Sequence, residues 1–130
     1  APGVASLRIN WNTVLVDDQD KALKFYTERV GFVKKGITPF ATVASPDQPG
    51  AELRLEPVSF APARKFQQAA YKAGIPATQF MVGDIRKAVD RMARVGVAFR
   101  GEPTPMGPVL MVMFDDTCGN LILLLQATNQ

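Results

Sequence analysis

The stretch Val14–Phe32, VLVDDQDKALKFYTERVGF, contains the end of a strand, a capped helix and a glycine stop. Asp17 stands where the N-cap is expected, since its carboxylate can accept hydrogen bonds from free backbone N–H groups. Asp18 and Asp20 complement the positive end of the helix dipole. Gly31 is predicted to end the helix in a left-handed conformation. Apolar residues at three- and four-residue spacing predict one buried helix face, formed by Ala22, Leu23, Tyr26 and Val30.

A second copy of this pattern lies at Phe80–Arg100, FMVGDIRKAVDRMARVGVAFR, with Asp84 as the cap and Gly96 as the stop. Five residues between Val16 and Leu23 match residues of the second copy at one constant offset. The ends of the two helices match only after a one-residue slip. The second apolar stripe consists of Ile85, Ala88, Val89 and Met92.

A further pair of matching segments follows each helix. SPDQPGAELRLEP, Ser45–Pro57, parallels FDDTCGNLILLLQ, Phe114–Gln126, and Gly50 stands opposite Gly119. Two matches in the same order indicate a duplication with a period of half the chain. We therefore expect one domain, residues 1–130, with repeat one at about 7–57, a helical linker at about 58–75 and repeat two at about 76–126.

Each half is predicted to be a β-α-β-β-β module. The fold class is therefore α+β, with tandem βαβββ modules forming a curved, barrel-like mixed sheet with helices on the outside. The linker helix is expected over Ala61–Ala73 with Phe66 on its buried side, and Gly101–Pro108 is expected to be a loop. The expected strands are Leu7–Asp17, Phe32–Lys35, Thr38–Ala44, Ala51–Glu56, Ala77–Val82, Val97–Arg100, Val109–Phe114 and Asn120–Gln126.

The composition is that of an ordinary globular protein, with 47% apolar and 21% charged residues. No apolar run is long enough to span a membrane, and the N-terminal segment lacks the regions of a signal peptide. The single cysteine, Cys118, cannot form an internal disulfide, which favours the cytoplasm. The net charge of +3 is too small to indicate nucleic-acid binding, so we expect neither a nucleic-acid nor a membrane partner.

Three segments carry a family resemblance: VDDQDKALKFYTERVGF, the start FMVGDI of the second half, and FDDTCGNLILLLQ. Together they resemble the glyoxalase / bleomycin-resistance / ring-cleaving dioxygenase (vicinal oxygen chelate) superfamily over about Ile9–Gln126. That resemblance implies a homodimer, paired either side by side or by exchanged halves. It does not imply one activity, because this fold is shared by isomerases, transferases, dioxygenases and drug-sequestering proteins.

Enzymes of that superfamily hold a divalent metal with His, Glu or Gln side chains from strands one, four, five and eight. Carried over residue by residue, these positions fall on Trp11, Arg54, Ala77 (or Thr78 with a shift of one) and Leu123. None of these side chains binds a metal well, and the chain has no histidine. We therefore expect no metal cofactor and favour a binding protein over an enzyme. A shift in register would instead bring in Asn12, Glu52 or Glu56, with Gln79 as a further oxygen donor.

Strand alternation predicts the ligand-binding surface of a metal-free cup. Methionines and a few polar anchors suit a small organic ligand. The alternative is that the methionines and leucines fill a dimer core, while Glu52, Arg54 and Glu56 form a charge ladder. No catalytic residue is predicted, since no histidine base exists and these glutamates are too far apart for a shared-proton pair. The candidate cup residues are Trp11, Thr13, Glu52, Arg54, Glu56, Gln79, Met81, Met111, Met113 and Leu123.

The predicted function is accordingly binding of a small molecule by a glyoxalase/bleomycin-resistance-like protein that lacks the usual metal ligands. Three alternatives stay open at this point. They are a divalent-metal-dependent lyase or dioxygenase of the same superfamily, a drug-sequestering resistance protein, and a structural or partner-binding domain. Stoichiometric bound metal would indicate the first, and a cup filled by its own side chains would indicate the last.

Overall fold

The computed structural model describes residues 6–37 and 39–128. No helix in these two ranges is long and apolar enough to cross a membrane. The helices are α1 (Gln19–Lys24), continued by a π-helical turn (Phe25–Arg29), then α2 (Ala61–Lys72) and α3 (Ile85–Arg94). The strands are β1 (Trp11–Val16), β2 (Val33–Lys34), β3 (Thr42–Ala44), β4 (Glu52–Pro57), β5 (Thr78–Met81), β6 (Thr104–Met106), β7 (Val109–Asp115) and β8 (Leu121–Ala127).

The strands form two four-stranded sheets with the same topology. Their orders are β1-β4-β3-β2 and β5-β8-β7-β6, and in each sheet the first pair is parallel and the others are antiparallel. The prediction of an α+β chain built from two βαβββ modules is confirmed. Within the chain each module has its own sheet.

The N-cap of α1 is Asp18, not Asp17. The Asp18 carboxylate accepts a hydrogen bond from the Lys21 backbone N–H at 3.0 Å. Asp17 instead pairs with the Lys21 ammonium at 3.1 Å. Capping requires a carboxylate three residues before the N–H that it receives, and only Asp18 meets that spacing. In the second module Asp84 caps α3 through the Lys87 N–H at 3.1 Å, as predicted.

A π-helical turn extends α1. The Val30 N–H bonds to the Phe25 carbonyl, five residues earlier, at 3.2 Å. This wider turn places both Phe25 and Tyr26 in the interior. Gly31 then ends the helix at φ +96°, as its position predicts.

One hydrophobic core lies between the two sheets. Phe25 stacks on Phe114 of β7, and Tyr26 meets Phe80 of β5 edge to face. Val43, Leu53 and Leu55 of the first sheet belong to the same buried cluster. Because the inner faces of both sheets contribute to this core, their other faces point away from it.

Helix α2 buries a polar residue where an aromatic one was expected. Phe66 was predicted to lie on the buried side of this helix, but it is 71% exposed, so that prediction was wrong. Gln67 is buried instead. The Gln67 amide donates to the Leu15 carbonyl at 2.8 Å and to Asn120 Oδ1 at 3.3 Å, joining the two modules. Gly119 leaves the room for this amide, since a Cβ there would lie 2.9 Å from it. Hydrogen bonding thus outweighs the apolar pattern.

The second strand of the second module lies later than predicted. The expected strand Val97–Arg100 contributes only an isolated bridge between Phe99 and Phe114. Strand β6 instead falls inside Gly101–Pro108, which was predicted to be a loop. Pro105 is tolerated there because β6 is an edge strand, where a missing N–H donor need not break a ladder.

Candidate functional site

The outer face of the first sheet carries five of the predicted cup residues. β1 and β4 pair in parallel, with Trp11 opposite Glu52 and Thr13 opposite Arg54. The intervening side chains point into the core, as the alternation predicts. The residues on this outer face are Trp11, Thr13, Glu52, Arg54 and Glu56.

The outer face of the second sheet carries the other five. Gln79 and Met113 both pair with Leu123, and Met81 and Met111 both pair with Leu125. Met106 lies on the same face through β6 and is 59% exposed. Four of the five methionines of the sequence therefore share one outward face, which suits an adaptable apolar contact surface.

Within one chain the two groups of cup residues share only the border of a cleft, at Glu52, Gln79 and Met81. No hydrogen bond, ion pair or ring contact among residues 6–37 and 39–128 joins the outer face of one sheet to that of the other. The reason is the position of the π-helical turn after α1, whose Phe25 and Tyr26 side chains pack in the core between the two sheets. Each face is thus half of a possible cup.

Arg54 is the centre of a cluster on the first outer face, which we call the Arg54 cluster (Trp11, Phe40, Thr42, Glu52, Arg54 and Glu56). Its guanidinium carbon lies 5.6 Å from the centre of the Trp11 ring and 5.0 Å from that of Phe40. The two rings stack with their centres 6.0 Å apart. Both distances to the guanidinium lie within the range of cation–π attraction.

Some polar groups of the Arg54 cluster have partners within the chain and one does not. Arg54 Nη1 pairs with Glu56 at 3.1 Å, and the Thr42 hydroxyl donates to Glu52 at 2.7 Å. Arg54 Nε is buried and has no hydrogen-bond partner among the described residues. The Arg54 side chain as a whole is 25% exposed. A buried donor without a partner is rare in folded proteins and requires an explanation.

Phe40 and Thr42 belong to this cluster but were not among the predicted site residues. Strand alternation could have identified both residues. Thr42 pairs with Arg54 across β3 and β4, and Phe40 lies two residues before Thr42. Phe40 itself lies outside β3, in a bend whose path the sequence does not specify.

The carried-over metal positions do not fit a metal ion. Arg54 would repel a cation, and the Trp11 indole and the Leu123 alkyl chain offer no oxygen or imidazole ligand. Asn12, the residue that a register shift would bring in, pairs with Leu53 on the core-facing side. Within the described ranges no three His, Cys, Asp or Glu side chains are grouped so that they could hold a metal.

A buried polar network joins the two modules behind the Arg54 cluster. Asp116 is fully buried and accepts from the Tyr26 hydroxyl at 2.6 Å, the Cys118 N–H at 2.7 Å, and the Asn120 N–H and side-chain amide at 3.0 and 2.8 Å. Burial raises the pKa of Asp116, while these donors oppose the rise. Burial also raises the pKa of Tyr26 well above its usual value. With every acceptor site used internally, this carboxyl group is structural.

The thiol of Cys118 lies in the same turn. Burial, together with the charge of Asp116, raises the pKa of Cys118 to about 12. Since the thiolate is the nucleophile, this cysteine is unreactive at neutral pH.

A cleft of about 890 Å³ opens beside the two sheets. Its walls come from the end of the first helix, the turn after β3, β5 and α3. Glu52, Gln79 and Met81 lie on its lining, so it adjoins both outer faces.

Comparisons with known proteins agree with this architecture. The sequence matches the profile of the Glyoxalase/Bleomycin resistance protein/Dioxygenase superfamily over residues 8–124. The uncharacterized protein YurT of Bacillus subtilis (strain 168) is 46% identical over 126 residues, covering 92% of this chain and 99% of YurT. The crystal structure of UcmS2 is similar with a TM-score of 0.80 at 27% identity, covering 93% of this chain and 98% of UcmS2. TnmS3, an antibiotic binding protein from Streptomyces sp. CB03234, gives a TM-score of 0.72 at 26% identity, covering 95% of this chain and 98% of TnmS3.

Proposed function

Since the chain belongs to the glyoxalase/bleomycin resistance protein/dioxygenase superfamily, we propose that it binds a small organic molecule on the Arg54 cluster without a resident metal. The observation that carries this proposal is the pair of half-exposed rings, Trp11 and Phe40, held against a guanidinium with a buried, unpaired donor. The similarity to an antibiotic binding protein supports the same class of function.

The proposal includes a homodimer that completes the cup by exchanged halves. β1 and β5 are edge strands, so each has backbone groups free to pair with another chain. Met81 is 63% exposed on the outer face next to the β5 edge. A second copy that places its methionine face opposite the Arg54 cluster covers both surfaces and makes two equivalent cups.

The dimer is checked by sedimentation equilibrium, which should give twice the chain mass of 14.1 kDa. Met81→Asp should shift the protein toward the monomer, because it buries a charge in the proposed interface. Ile75→Asp is the control, since Ile75 is 56% exposed in the turn after α2 and belongs to neither sheet. A wild-type protein that sediments as a monomer at all concentrations would refute the exchanged dimer.

Ligand binding is tested through the intrinsic fluorescence of Trp11, the only tryptophan of the sequence. A library of small aromatic compounds should contain members that quench this emission. At a concentration of one hundred times its dissociation constant, such a compound should stabilise the protein by about 2.7 kcal/mol, or several degrees in melting temperature. Phe40→Ala should weaken this binding severalfold, whereas Phe60→Ala, at another exposed phenylalanine outside the Arg54 cluster, should not.

Metal analysis of protein purified without chelator separates this proposal from a metal-dependent enzyme. We expect less than stoichiometric metal and no change in melting temperature with Mn²⁺, Ni²⁺, Zn²⁺ or Mg²⁺. One tightly bound ion per chain, with a clear rise in melting temperature, would contradict the proposal and favour a lyase or dioxygenase.

A further inference from the structure

The Arg54 cluster also indicates the charge of its ligand, an inference that rests on the proposed function. The guanidinium has five N–H donors in a planar fork, and Glu56 pairs with only one of its nitrogens. Nε has no partner and is closed to water. A quarter of the side chain remains open to solvent, so a ligand would have to bind the terminal nitrogens of the guanidinium, not Nε. Donor capacity is therefore left for an acceptor from outside the chain.

Each carboxylate of the Arg54 cluster has a partner within the chain. Glu52 accepts from the Thr42 hydroxyl and Glu56 pairs with Arg54. An anionic ligand would meet the unused terminal donors of the guanidinium. The cation–π contacts with Trp11 and Phe40 hold the guanidinium in place for such an acceptor.

The surrounding surface defines the rest of the ligand. Trp11 and Phe40 are 40% and 50% exposed and stack on each other, so a flat ring can extend the stack. The outer face of the second sheet presents methionines and leucines, with Gln79 as a polar group and no charged side chain among its predicted cup residues. An apolar body with one anionic group fits both surfaces.

We infer that the ligand is a planar aromatic compound bearing a carboxylate or phenolate, with its ring on the Trp11–Phe40 stack and its anionic oxygen on Arg54. Arginine recognises a carboxylate with two parallel hydrogen bonds, and such charge-assisted bonds are stronger than neutral ones. Glu56 has the role of holding the guanidinium through Nη1.

Three probes that differ only in charge test this inference: anthracene-9-carboxylate, anthracene-9-carboxamide and 9-(aminomethyl)anthracene. Their binding is read from quenching of Trp11. We expect the carboxylate to bind the wild-type protein about tenfold more tightly than the carboxamide, and the ammonium probe to bind weakest. In Arg54→Gln the affinity of the carboxylate should fall to that of the carboxamide for the same variant. Arg54→Lys should recover only part of the advantage of the carboxylate, because an ammonium lacks the planar fork.

Arg94→Gln is the control for net charge. It removes one positive charge on an exposed face of α3, where Arg94 pairs with Asp90 at 2.7 Å, and should leave all three affinities unchanged. Melting curves of each variant verify folding. Equal binding of carboxylate and carboxamide, or a preference for the ammonium probe, would overturn the anionic ligand class and leave the proposed function standing. If no probe quenches Trp11 although a compound of the library does, the inference is refuted and the proposed function stands; if neither the probes nor the library quench it, both are refuted.

Discussion

Asp116→Ala is expected to lower the free energy of unfolding by about 4 kcal/mol or more, because it strands several buried donors at about 1–3 kcal/mol each. Those donors are the Tyr26 hydroxyl, the backbone N–H groups of Cys118 and Asn120, and the Asn120 side-chain amide. The same change weakens the junction between modules, since Asn120 also donates to the Leu15 carbonyl at 2.7 Å. The loss should be measured by urea unfolding with circular dichroism.

Tyr26→Phe is the graded control for Asp116. It removes one hydrogen bond and leaves the carboxylate with three donors, so we expect a loss of about 1–2 kcal/mol. Asp47→Ala is a surface control, since Asp47 stands at the equivalent position of the first repeat but is exposed. If Asp116→Ala costs no more than Asp47→Ala, the buried network does not join the modules.

Gly36→Ala is expected to destabilise the protein by about 1–3 kcal/mol and to disrupt the Arg54 cluster, in line with the usual effect of overfilling a packed site. A Cβ on Gly36 would lie 2.4 Å from the Phe40 carbonyl oxygen and 2.9 Å from the Thr42 hydroxyl. Both neighbours must move to make room. Phe40 would then leave the Arg54 guanidinium, and Thr42 would lose its bond to Glu52.

Gly83→Ala is the matched control, because nothing lies within 4 Å of a Cβ added there. It should leave the melting temperature nearly unchanged. Quenching of Trp11 by the anthracene probes supplies a second measurement, which should weaken in Gly36→Ala and not in Gly83→Ala. Equal melting temperatures for the two variants would show that the bend between β2 and β3 is not tightly closed around Gly36.

The sequence predicted the faces of the strands because side chains alternate with a period of two wherever one face is buried. Val14 and Leu53 face the core, and Thr13 and Arg54 face outward, as expected. The glycine stops at Gly31 and Gly96 were equally predictable, since both adopt positive φ. These features depend on local chemistry.

Features that depend on distant contacts were not predictable in the same way. Alternation shows which residues share a face but not which faces oppose each other, so the placement of Trp11 and Met81 in one cup stays a prediction. Phe40 reaches Arg54 through the path of a bend. Gln67 is buried because its amide donates hydrogen bonds to carbonyl groups of β1 and of the turn before β8. The apolar periodicity of a helix does not reveal such distant partners.

The π-helical turn after α1 explains the one-residue slip between the two copies of the repeat. The first copy has one residue more than the second between its cap, Asp18, and its stop, Gly31. A turn closed over five residues instead of four takes up one extra residue without displacing what precedes or follows it. On the duplication that the repeated pattern indicates, the π-helical turn marks an insertion in one copy or a deletion in the other. The fold accepted that change of length within a single turn.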